Sequence, residues 1–232
     1  MERRKSLLAV AFCVAAASSA FADTAVLKFE GIASPTNQTV AIGNFYNGAG
    51  GAANNFGITF SSNALALCLN TPGVICSNTS RGGLGDPTSQ TGGLFFLEGA
   101  QTYLNDAAGF SDGFSLFYTA VNEGGSLSVY SGLNGTGTLL GTLNLPLTAS
   151  TCSGVYGAQF CPFAPVGVSF AGTAQSISFA GVANQIVFDD VTFGSATPGE
   201  PSPVPEPSTF ALLLTGAGAA LEKGRRLLRS RG

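Results

Sequence analysis

A chain of 232 residues with 45% hydrophobic and 10% charged residues and 32 glycines can bury one sizeable core, and it is neither a disordered chain nor a coiled coil. It contains no histidine, which removes Ser-His-Asp triads, Cys-His pairs, HExxH zinc sites and imidazole acid–base catalysis together. The net charge of −3 hides an asymmetry: eight of the ten bases sit at the two ends, while Asp23 to Phe193 carries two bases against nine acids, a balance of −7 that repels nucleic acid and anionic lipid.

Residues 1–22 read as a secretory signal. Arg3, Arg4 and Lys5 form a cationic head, Leu7 to Ala17 an apolar run, and Ala20-Phe21-Ala22 places small residues before Asp23 as a cleavage site requires. The apolar run would make a helix of about 16 Å, too short to span a bilayer.

Residues 23–196 read as one all-β body. No ten-residue segment has helical apolar periodicity; short apolar or alternating runs are separated by Gly, Asn, Asp and Ser, as in an antiparallel β-sandwich. Predicted strands are Ala25–Glu30, Phe56–Ser61, Leu65–Leu69, Gly93–Leu97, Gly113–Tyr118, Ser126–Tyr130, Leu139–Leu145, Val166–Phe170, Ser176–Phe179 and Gln185–Phe193. Ile32 to Asn55, rich in Gly, Asn and Ala, reads as a long loop. Asn134-Gly135-Thr136-Gly137 is a hairpin turn whose Asn and Gly tolerate positive φ. Phe114, Leu116 and Tyr118 share one face and Leu127 and Val129 begin a matching stripe, so these are core residues. Val168-Ser169-Phe170-Ala171-Gly172-Thr173 and Ile177-Ser178-Phe179-Ala180-Gly181-Val182 form a short repeat that suggests a hairpin rather than a solenoid. There is neither a phosphate-binding GxxxxGK[ST] loop nor a GxSxG elbow.

Residues 197–209 form a proline-rich linker, and residues 210–232 combine the apolar run Phe210 to Leu221 with Lys223, Arg225, Arg226, Arg229 and Arg231. An apolar helix ending in a basic cluster is a stop-transfer element with its cations on the cytoplasmic side. The motif Val204-Pro205-Glu206-Pro207-Ser208-Thr209, the apolar helix and the arginine-rich end together resemble the PEP-CTERM sorting signal of exported proteins of Gram-negative bacteria. The resemblance implies an exosortase, an intramembrane cysteine protease, as the processing partner, with Val204, Pro205, Glu206 and Pro207 as its sorting motif. It also implies delivery by the secretion machinery, a transient stay in the inner membrane, release to the outer surface or matrix, and association with exopolysaccharide and biofilm. Phe210 to Leu221 would span about 18 Å as a helix, short of the roughly 30 Å hydrocarbon core, which suits a temporary anchor.

Cys13 leaves with the signal, so Cys68, Cys76, Cys152 and Cys161 remain, an even number in an exported chain. Three pairings are open; Cys68–Cys76 and Cys152–Cys161 are favoured because each closes a short loop containing turn residues. Neither spacing is CxxC, which argues against zinc or redox chemistry.

The carboxylates Glu30, Asp86, Glu98, Asp106, Asp112, Glu123, Asp189 and Asp190 are the only candidates for catalysis, as an acid pair of a glycoside hydrolase. The weightier reading is a solubilising surface, so no catalytic residue is assigned. Phe29-Glu30-Gly31 on the first strand and Phe188-Asp189-Asp190-Val191 on the last are similar to jelly-roll carbohydrate-binding modules. That resemblance implies a structural calcium held by Glu30 and Asp189, with Asp190 as the substitute, since alternation puts the two aspartates on opposite faces. The expectation is a non-enzymatic cell-surface or matrix protein with a jelly-roll-like sandwich body. The alternatives are a carbohydrate-binding module and, behind it, a carboxylate hydrolase.

Overall fold

In the computed structural model, residues 25–71, 73–76, 91–148 and 163–199 are described. The signal segment, the Cys152–Cys161 pair, Asp86, Val204 to Pro207 and the apolar run from Phe210 lie outside them. Among the described residues twelve strands run in chain order: β1 Val26–Leu27, β2 Thr39–Ala41, β3 Ile58–Phe60, β4 Leu65–Leu67, β5 Leu94–Phe95, β6 Gln101–Phe110, β7 Gly113–Ala120, β8 Gly125–Tyr130, β9 Leu139–Leu145, β10 Ala164–Ser169, β11 Ala174–Gly181 and β12 Ile186–Phe193. Two short 3-10 turns, Ala52–Asn54 and Leu133–Gly135, are the helical elements among the described residues. No helix there is long and apolar enough to cross a membrane.

The strands form two antiparallel sheets. One runs β10-β7-β12-β5-β4-β2 with β1 also on β12, and the other runs β3-β6-β11-β8-β9. Along the chain the strands pass back and forth between the sheets, the connectivity of a jelly-roll-like sandwich. Each of the ten predicted strands overlaps an observed one. The first and last strands are neighbours: Val26 pairs with Thr192 and Leu27 with Val191.

The core is where the inward faces meet. Phe114, Phe188 and Phe193 of one sheet stack edge-on with Phe179 and Phe110 of the other, with centroids 5.0 Å apart for Phe179–Phe188 and 4.9 Å for Phe110–Phe193. Leu116, Tyr118, Leu127 and Val129 are buried among them, as their stripes require. A smaller cluster of Leu67, Leu69, Phe95 and Val187 is separate from this core. Val187 alternates with the inward-facing Ile186 and Phe188, so this cluster lies on the other face of the seven-stranded sheet. All eight residues of β12 are buried.

Three expectations are corrected. The segment from Ile32 to Asn55 is not simply a loop: it contains β2, and its Ile42 and Tyr46 enter the core. The ten-residue β6 had no predicted counterpart, because Asn105, Asp106 and Gly109 read as turn residues. They make an irregularity inside the strand instead: Ala174 pairs with Phe110 but Ser176 with Asn105, and Asp106 Oδ1 accepts from the backbone N–H of Ala108 (2.9 Å) and Gly109 (3.1 Å). The short repeat is not a hairpin. Its first copy begins on the last two residues of β10, which pairs with β7, and its second lies on β11, paired with β6 and β8 in the opposite sheet.

The loop from Cys68 to Cys76 is closed by a disulfide with a Cα–Cα distance of 6.1 Å. Inside it Thr71 and Val74 exchange backbone hydrogen bonds of 3.0 Å, and Cys76 N–H donates to Asn70 Oδ1 at 2.6 Å.

Candidate functional site

Two places collect residues whose chemistry exceeds the needs of the fold. The first is the junction of β1 and β12. Glu30 lies just beyond β1, half-buried. Its Oε1 accepts from the backbone N–H of Thr91 (2.8 Å) and Gly92 (3.1 Å), and its Oε2 accepts from the Thr91 hydroxyl. Close approach requires Gly92 to be glycine, since a Cβ there would run into the Phe29 carbonyl. Phe29 itself has φ 57°, and its N–H donates to the Tyr46 hydroxyl oxygen at 2.7 Å.

Asp189 and Asp190 are fully buried on the facing strand. The expectation that they point to opposite faces is corrected by a bulge. Asp189 pairs with Phe117 but Thr192 with Ser115, one residue out of step, and Asp190 takes φ 47°. Phe188 and Val191, three apart, both enter the core, so the two aspartates occupy the bulge between them. Asp189 Oδ1 accepts from its neighbour's N–H at 2.7 Å, and Thr192 donates its hydroxyl to the Asp190 carbonyl at 2.8 Å. Burial raises the Tyr46 phenol well above its usual range, and the negative charges of Asp189, Glu30 and Asp190 push the same way.

This donor set is hard oxygen, as calcium prefers. Among the described residues, however, no three metal-ligating side chains converge as a complete group. The side chains fit calcium in chemistry, and a shell of six to eight oxygens would need backbone carbonyls and water as well.

The remaining described acids are dispersed. Glu98, Asp112 and Glu123 are exposed, and Asp106 caps its own bulge. Glu98 borders a shallow depression of about 250 Å³ with Ser62, Asn63, Leu65 and Leu97. Asn63 there is held by its Nδ2 donating to the carbonyls of Glu98 (3.0 Å) and Gln101 (2.9 Å).

The second place is the outer face of the five-stranded sheet. Leu104, Ile177, Phe179, Leu127 and Val129 point into the core, so their strand neighbours point out. Register aligns these neighbours in rows across β6, β11, β8 and β9. One row is Tyr103, Ser178, Ser128 and Thr142; the next is Gln101, Ala180, Ser126 and Asn144. A third holds Asn105, Ser176 and Tyr130. No residue in these rows is an acid or a base; besides Ala180 they are hydroxyls, amides and two tyrosines, of which Ser176 and Ser178 are buried. Ser178 donates to Gln101 Oε1 at 3.1 Å, and Gln101 Nε2 donates to the Tyr103 hydroxyl.

The turn between β8 and β9 folds back over one end of this face. Asn134 N–H donates to Asn105 Oδ1 (2.7 Å) while Asn105 Nδ2 donates to Asn134 Oδ1 (2.8 Å). Gly135 N–H donates to Ser176 Oγ (2.9 Å), which donates to the Gly132 carbonyl (2.5 Å). Gly135 sits so close to the Tyr103 ring that an added Cβ would lie 2.6 Å from Cε1. Sequence reasoning missed this face because β6 was missed; the alternation of Gln101, Tyr103 and Asn105 with Thr102 and Leu104 is the signal that marks it.

No protein-family model matches the chain, and no curated protein sequence matches it. Solved structures similar to it include a family 6 carbohydrate-binding module, 19% identical over 58% of this chain and 85% of that one, with a TM-score of 0.35. Another is the C-terminal family 6 module of a marine laminarinase from Zobellia galactanivorans, 13% identical over 47% of this chain and 84% of that one (TM-score 0.30). A third is the K1 cleaved adhesin domain of Lys-gingipain from Porphyromonas gingivalis, 14% identical over 73% of this chain and 96% of that one (TM-score 0.38). All are distant likenesses.

Proposed function

We propose that this is an exported, non-enzymatic β-sandwich protein of the cell surface or matrix that binds extracellular polysaccharide. One observation carries the binding reading: an ordered, uncharged array of hydroxyls, amides and tyrosines on the outer face of the five-stranded sheet. Sugars offer hydroxyl donors and acceptors around apolar ring faces, and such a surface matches both. A hydrolase is disfavoured because the buried aspartate pair cannot meet a polymer and the other described acids are scattered. Affinity electrophoresis of the exported protein through gels containing a polysaccharide panel tests the reading. Retardation by at least one polysaccharide is expected, and free migration in every gel would overturn it.

The export half rests on the sequence alone. The signal segment, Val204-Pro205-Glu206-Pro207, the apolar run and the arginine end support secretion, transient inner-membrane anchoring and processing by an exosortase-type protease. A structural calcium at Glu30 and Asp189, with Asp190 beside them, belongs to the same proposal. Its support is the hard-oxygen chemistry of two adjacent buried carboxylates on the strand that pairs with β1. Bound there, calcium would tie the first strand to the last, while Thr91 and Gly92 orient Glu30 from behind.

A further inference from the structure

Resting on that reading, we infer that the ligand is an uncharged, extended polysaccharide. It lies across the strands in a trough walled by the β8–β9 turn, with Tyr103 as its stacking platform. The floor is set by register: Tyr103, Ser178, Ser128 and Thr142 form one line and Gln101, Ala180, Ser126 and Asn144 the next. Four strands make a floor about 14 Å wide across the sheet, with the two rows about 7 Å apart. That is an elongated strip, suited to a chain of sugars rather than a single one.

The wall is fixed. Asn134 and Asn105 hold each other by two hydrogen bonds, and Gly135 and Gly132 are both tied to Ser176 Oγ. These bonds engage Asn105 and Ser176 of the third row; in the first two rows Gln101, Thr142 and Asn144 are exposed, Tyr103, Ser126, Ser128 and Ala180 are half-buried, and Ser178 is buried and bonded to Gln101. Gly135 packs against the edge of the Tyr103 ring, and Gln101 donates to its hydroxyl, so the ring is held before any ligand arrives. A pre-oriented ring loses little freedom on binding.

Charge selects the polymer. The floor has no cation to pair with a uronate, sulfate or phosphate group, and the body around it carries seven more acids than bases between Asp23 and Phe193. An acidic polysaccharide would be repelled by that field and find no compensating partner. A neutral one gives up water hydrogen bonds and regains them from Ser, Thr, Asn and Gln side chains.

The test is affinity electrophoresis of the exported protein and two variants, Tyr103→Ala and Thr142→Arg, with thermal unfolding recorded for each. Neutral probes are oat β-glucan, xylan and galactomannan; acidic probes are alginate and polygalacturonate. Expected is retention by a neutral probe, with affinity lowered roughly tenfold or more in Tyr103→Ala and also lowered in Thr142→Arg, whose site is exposed on the edge strand. If Tyr103→Ala unfolds, Thr142→Arg alone decides. Undiminished binding by both folded variants would overturn this trough while leaving polysaccharide binding intact. Retention of the wild type by the acidic probes alone would overturn the choice of ligand class. No retention by any probe would overturn the underlying reading, and the trough with it.

Discussion

The backbone N–H of Phe29 donates to the hydroxyl oxygen of Tyr46 at 2.7 Å, tying the end of β1 to a segment with little regular structure of its own. The same ring packs edge-on against Phe29 at 5.7 Å. Tyr46→Phe keeps the ring and leaves a buried N–H without its acceptor, so it should cost about 1–3 kcal/mol at neutral pH. There is also a pH signature. The folded phenol sits above its unfolded value of about 10, so above that pH the unfolded state binds fewer protons and stability falls as pH rises. Urea midpoints between pH 8 and pH 11 should fall less steeply in Tyr46→Phe than in the wild type. Tyr118, also raised by burial, leaves a residual slope.

Gly92→Ala should be severely destabilising. The obstacle is backbone, the carbonyl of Phe29 and the N–H of Glu30, which cannot swing aside as a side chain would. A loss of about 1–3 kcal/mol is expected, read as a lower urea midpoint. A wild-type midpoint would show that β1 is free to shift away from residues 91–92.

Calcium should raise the melting temperature of the exported protein after chelation, because a ligand confined to the folded state stabilises it by mass action, about 2.7 kcal/mol at a hundred times Kd. Magnesium should do less, since it sheds water reluctantly and demands a smaller octahedral shell. Glu30→Gln and Asp189→Asn should each remove the calcium response. An unchanged melting curve at saturating calcium in the wild type rules the site out.

Cys76→Ser opens the loop from Cys68 and should lower stability by about 2.5 kcal/mol through the freedom returned to the unfolded chain. Peptide mapping without reductant should recover Cys68 linked to Cys76 and Cys152 linked to Cys161. A link from either early cysteine to either late one would refute the local pairing.

The tail should be absent from the mature protein. Mass spectrometry of the surface fraction is expected to find a chain ending near Val204 to Pro207, lacking Phe210 onward. Cells deprived of the processing protease should retain the longer species in the membrane. A full-length tail on the surface of wild-type cells would leave a plain membrane anchor instead.

Much of the sandwich was legible because alternation is local. Phe114, Leu116 and Tyr118 share a face in any strand, and all three are buried. The pairing of Cys68 with Cys76 was legible for the same reason, since a nine-residue loop with a turn inside brings its own ends together. Strand β6 was not legible, because Asn105, Asp106 and Gly109 signal a turn when read singly. Only the neighbouring β11, pairing on both sides of the irregularity, keeps them within one strand.

The sequence by itself determined that the body is sheet rather than helix, that histidine chemistry is absent and that acids outnumber bases in the body. Side-chain period, residue type and charge are properties of the chain in any conformation. Tertiary structure alone decided that Asp189 and Asp190 are buried together, because the bulge that cancels their alternation exists only in the mismatch between β12 and β7. It alone decided that Tyr103, Ser178, Ser128 and Thr142 stand in one row, because register is fixed by hydrogen bonds between strands far apart in the chain. A surface assembled from four strands has no contiguous sequence to announce it.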